Sequence, residues 1–99
     1  MPGDRVVRAL DYWRATDTVV ETAERVADAI ARLLAGPGRV VVSLCGVRGI
    51  SSSFANILLQ RAISVVGANE LERRVVFDTD SESQQRVIRR SLDAVKSTT

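Results

Sequence analysis

"RVVVSLCGVRGISSSFANILL", residues Arg39 to Leu59, decides how this chain folds. Its β-branched run, Val40-Val41-Val42, lacks the alternation of a half-exposed strand and predicts a central strand buried on both faces. Gly46 and Gly49 punctuate the turn that follows. Three serines then open an apolar stretch whose pattern predicts a helix from Phe54 to Val66, closed by Gly67.

Upstream, Val19, Ala23, Val26, Ala27, Ile30, Leu33 and Leu34 recur at helical spacing, with Glu24, Arg25, Asp28 and Arg32 opposite them. Thr18 and Glu21 form a capping box at the start of this helix, and Gly36-Pro37-Gly38 stops it. The opening "RVVRALDYW" (5–13) suits a strand or a short hairpin arm. Downstream, "RRVVFD" (73–78) is a third strand candidate. Ser81 with Gln84 caps a last amphipathic helix built on Val87, Ile88, Leu92 and Val95. The order β-α-β-α-β-α predicts a small α/β domain, a mostly parallel sheet joined by right-handed crossovers with helices packed on it. Each strand-to-helix turn lies at the carboxyl edge of such a sheet, the usual place for a functional site.

The 99 residues suffice for one domain, 1–99, and a hydrophobic fraction of 45% with 26% charged residues fits a globular protein. At this size the stability margin is thin, which favours burial against a partner. No apolar run approaches the ~20 residues that span a bilayer. The N-terminus lacks a signal-peptide pattern, so a cytoplasmic location is expected. The lone Cys45 excludes an internal disulfide framework and is expected to be a small buried hydrophobe. There is no histidine, which excludes Ser-His-Asp and Cys-His catalysis and removes the usual zinc ligand. No catalytic residue, metal site or cofactor is expected. The net charge is +2, and arginines are interleaved with acids along the chain. That spread disfavours a nucleic-acid stripe; Arg86, Arg89 and Arg90 form the densest cluster and read as a solvated helix face, with a nucleic-acid contact as the less favoured alternative.

The turn fails three catalytic or nucleotide-binding patterns. A cysteine-phosphatase loop needs arginine at position 51, where Ser51 stands. A G-x-x-x-x-G-K-[ST] phosphate loop needs a different glycine spacing and a lysine. A G-x-S-x-G elbow fits Gly49-Ile50-Ser51, but Ser53 holds the second glycine position and no histidine can act as base. Two readings remain for the serines besides simple capping. One is phosphorylation at a helix start, where free amides receive a phosphate and ~2 negative charges can repel or recruit a partner. The other is an anion or nucleotide ligand held by the amides of Ser51–Ser53.

Val40 to Leu59 resembles the core of the STAS domain, the fold of bacterial anti-sigma-factor antagonists. There, a buried strand leads through a hydrophobic-x-x-hydrophobic turn into Asp-Ser-[Ser/Thr]-Gly-hydrophobic and an apolar helix. In register, Val40 to Val42 match the strand, and Val47 and Ile50 match the apolar anchors. Ser51 takes the place of the aspartate, Ser52 that of the phosphorylatable serine, and Ser53 that of the second hydroxyl residue. Phe54 replaces the glycine, as in a compact STAS-like offshoot of short bacterial proteins, and Ile57, Leu58 and Leu59 continue the helix. The resemblance implies a non-catalytic regulatory module that binds a protein partner, often a histidine-kinase-like ATPase, through the Gly46–Ser53 turn and the following helix. Ser52 is then the first phosphorylation candidate, ahead of Ser51 and Ser53. The partner-binding residues would be Val47, Arg48, Gly49, Ile50, Phe54, Asn56 and Ile57.

Helical spacing gathers Asn56, Gln60 and Ser64 into one polar stripe and leaves most of the second helix apolar. A helix on a sheet needs only about 100° of apolar face, so the excess is either deep burial or a partner-facing patch; the patch is the expectation. Tyr12 and Trp13 are core anchors or interface residues. A homodimer stays open.

Overall fold

A computed structural model describes residues 4–47 and 50–97. In chain order the elements are β1 (Arg5–Arg8), a 3-10 turn (Ala9–Tyr12), α1 (Val19–Leu34), β2 (Val40–Ser43), α2 (Ser52–Val66), α3 (Ala68–Arg74), β3 (Val75–Asp78) and α4 (Glu82–Ser97). This is an α/β domain with a three-stranded parallel sheet. The opening segment takes the first of its two expected forms, a strand, here parallel to β2 and followed by a helical turn. One detail differs from the sequence pattern: a further helix, α3, stands between α2 and β3. Gly67, at φ 84°, ends α2 and begins α3 in a backbone region open to glycine.

The capping box sets the start of α1. Thr18 N–H donates to Glu21 Oε1 at 2.9 Å, and Glu21 N–H donates to Thr18 Oγ1 at 3.1 Å. The bond from the Thr18 backbone amide, helped by the Thr18 side chain, holds the Glu21 carboxyl below the usual glutamate range. The apolar stripe of α1 buries Ala23, Val26, Ala27, Ile30 and Leu34. Its far end is secured from a distance: the Arg74 guanidinium donates to the carbonyls of Leu34 (3.2 Å), Gly36 (2.5 Å) and Gly38 (2.7 Å). A cation there satisfies free carbonyls and complements the negative end of the helix dipole.

The strand order is β1-β2-β3, with Val6 beside Val41 and Val41 beside Val76. Val7, Val40, Val42 and Val75 point into one core with Ile30, Leu58, Leu59, Leu71, Ile88 and Val95 of the helices. Residues of the opposite pleat are not covered. Val6 is 56% exposed, Val76 is 37% exposed and Val41 is half-buried. β2 is therefore central in the sheet but buried on one face, not two. The topology explains this. When successive strands add in one direction through crossovers of one hand, every crossover helix lands on the same face.

Candidate functional site

The turn after β2 leaves the carboxyl edge of the sheet and is fastened from three sides. Leu44 N–H donates to Asp78 O at 2.8 Å, and Val47 N–H donates to Leu44 O at 3.1 Å. Gly46 N–H donates to the Asp80 carboxylate at 2.9 Å. Gln84, buried at the start of α4, donates through its amide to Leu44 O (3.0 Å) and Val47 O (2.7 Å). Its Oε1 accepts from Asp80 N–H at 3.0 Å, while its own N–H donates to Ser81 Oγ at 3.2 Å. The half of the expected capping box at Ser81 is thus present, and the Gln84 side chain ties the turn to α4. The sequence carries no signal for that second task.

The three serines divide their roles by position. Ser51 is the N-cap: its Oγ accepts from Phe54 N–H at 3.1 Å, and its carbonyl accepts from Ala55 N–H. Ser52 and Ser53 occupy the first turn of α2 and are exposed. Both lie at the positive end of a 15-residue helix.

Burial reassigns several expected partner residues. Val47, Ile50 and Phe54 are 5%, 7% and 0% exposed, so they anchor the turn in the core and leave no side-chain surface for a partner. Arg48 and Gly49 lie outside the described residues. Asn56 and Ile57 are half-buried. The excess apolar surface of α2 is used inside the molecule: α2 lies between α1 and α4, and Phe54, Ala55, Leu58, Leu59 and Ala62 are buried. Of the remaining apolar residues of α2, Val65 at the far end of the helix is exposed and Ile57, Ile63 and Val66 are half-buried. On the α1 side, Arg61 pairs with Asp28, bordering a groove formed with Glu24, Ile57, Gln60 and Ser64.

Trp13 lies over Phe54 with ring centroids 5.6 Å apart and planes at 37°. It shields the start of α2 while keeping one side in water. Cys45 is exposed rather than buried, and its thiol lies 3.7 Å from Asp78 Oδ2. The turn carries this side chain outward just after the last paired residue of β2, Ser43. Among the described residues, no three of Cys, Asp and Glu gather where they could hold a metal ion. No described helix is long and apolar enough to cross a membrane.

Strand order also bears on the ligand reading. Open α/β sheets bind ligands where the order reverses and neighbouring connections part to opposite faces. The order β1-β2-β3 has no reversal, so these strands open no such crevice at the Ser51–Ser53 helix start. No family model, curated protein or solved structure matches the chain.

Proposed function

We propose that the chain is a non-catalytic, STAS-like regulatory module that acts in the cytoplasm and binds a protein partner through the edge formed by the β2–α2 turn and the first turn of α2. The partner suggested by the sequence resemblance is a histidine-kinase-like ATPase. Phosphorylation of Ser52 is the switch. The observation that carries this reading is the division of labour among the serines: Ser51 caps the helix, while Ser52 is exposed and its hydroxyl makes no hydrogen bond among the described residues. A phosphate there would sit at a helix start, where it is electrostatically tolerated, and would place ~2 negative charges on the partner-facing edge.

The test is capture of partners from the protein's own cells with wild type, Ser52→Ala and Ser52→Asp, followed by affinity measurement on the protein recovered. Ser52→Asp is expected to weaken association about tenfold or more, as a charge placed in a desolvating interface does. Ser52→Ala should bind like wild type. The aspartate should also raise thermal stability slightly, because an acid in the first turn favours the helix by about 0.3–1 kcal/mol. Equal binding by all three proteins would sink the switch.

A further inference from the structure

The uncovered face of the sheet has an ordered chemistry. Val6, Val41 and Val76 form one row across the three strands, and Arg8, Ser43 and Asp78 form the row two residues further on. Side chains two apart on a strand share a face, so both rows look away from the helices. Arg8 and Asp78 are exposed at opposite edges, and neither is in an ion pair among the described residues.

We propose that this face docks a second copy of the chain, sheet on sheet, about a two-fold axis running along β2. The surface adjoins the β2–α2 turn, where the Cys45 thiol lies 3.7 Å from Asp78 Oδ2, but it does not include Ser51–Ser53 and does not depend on their function. Rotation about this axis keeps strand direction and exchanges the edges, so β1 lies over β3 of the second copy and β2 over β2. Val41 meets Val41, Val6 meets Val76, and Arg8 meets Asp78; the last two contacts occur twice by symmetry. Aligned sheets pack in this way about 10 Å apart, with their strands turned by about 30°. A two-fold axis across the strands fits less well. It would set Arg8 against Asp4, which Arg39 already holds at 3.0 Å, and Asp78 against Arg74, whose guanidinium serves the end of α1. Three four-residue strands present a face only about 10 Å by 13 Å. Such a contact lies below the ~800 Å² per partner of a standard interface, so the dimer is a rapidly reversible one.

Sedimentation equilibrium over a concentration series tests this with four proteins: wild type, Arg8→Asp, Asp78→Arg and the double variant. The replaced side chains are exposed, and far-UV circular dichroism checks each fold. Wild type is expected to dimerise, more weakly as salt rises. Each single variant sets like charges opposite one another and should associate at least about tenfold more weakly. Mixing the two single variants should restore association. In that pair the aspartate introduced at position 8 faces the arginine introduced at position 78, and the native Asp78 faces the native Arg8. The double variant should dimerise alone. A wild type that stays monomeric throughout would overturn the proposal. So would single variants that dimerise like wild type, or a mixture no stronger than its components.

Discussion

Gln84 shows how much one side chain can decide. Its amide has two donors and one acceptor oxygen, and all are used: Leu44 O and Val47 O accept from Nε2, and Oε1 accepts from Asp80 N–H. The carbonyls it serves lie in the turn that ends one strand and begins the helix bearing Ser52. Replacing Gln84 with methionine keeps the length and removes the three side-chain bonds, leaving two carbonyls and an amide without this partner. A buried group left unsatisfied costs about 1–3 kcal/mol, so Gln84→Met is expected to lose roughly that much in urea unfolding. Hydrogen exchange should locate the damage, with faster exchange at the Val47 amide than in the middle of α1. Unchanged protection at Val47 would mean that Gln84 does not hold the turn. In the sequence Gln84 reads only as the last member of Ser-x-x-Gln, a local signal. The carbonyls it reaches are 37 and 40 positions away, and no spacing rule spans that distance. The same limit hid the exposure of Cys45, which depends on where the turn leaves the sheet.

At the scale of elements, local signals were sufficient wherever a long amphipathic stripe met a side-chain cap. α1 begins after Thr18 and ends before Gly36-Pro37-Gly38, as periodicity and capping predict. α3 leaves no signal in the sequence because its seven residues bury only Leu71, and one buried position makes no period. The composition of α2 was legible but its surroundings were not. An apolar circumference states that contacts exist, not whether they come from α1 and α4 or from another protein. The cap of α1 carries a pH dependence. The Glu21 carboxyl is held below its ordinary range by bonds that exist only in the fold. A group with a depressed folded pKa contributes stability above its unfolded pKa, about 4.3 for glutamate, and that contribution fades as pH falls through the folded value. Thermal unfolding of wild type and Glu21→Gln should therefore differ most near neutrality, with wild type the more stable. The gap should narrow as the buffer is taken below pH ~4. A gap that stays constant, or widens in acid, would show that ionisation of Glu21 does not strengthen the cap.

The whole molecule follows from a strand order that never reverses: all helices share one face, one core forms beneath them, and the other face of the sheet stays bare. With a radius of gyration of 12.5 Å, the chain is as small as a single folded unit of about 100 residues should be. Phe54, fully buried, lies near the point where the N-terminal arm, α2 and the core meet. Trp13 packs on it, Val7 and Ala9 of the same arm are buried, and Arg25 of α1 pairs with Asp17 and donates to Tyr12 O. β1 is an edge strand, a place where local unfolding often begins. These contacts nevertheless bind it to the common core. In urea, fluorescence from Trp13, the only tryptophan, should therefore be lost at the same midpoint as the helical circular dichroism. Phe54→Ala should move both midpoints down together, since emptying a buried aromatic site costs about 3–5 kcal/mol. That is a large share of the ~5–15 kcal/mol that holds a domain this size together. If Trp13 fluorescence falls at a lower urea concentration than the helical signal, the arm from β1 to Trp13 is a separate unit resting on a helical core. The single cooperative core would then be wrong. Coincident midpoints in wild type and variant would instead place Phe54 and the arm from β1 to Trp13 in one cooperative unit with the helices.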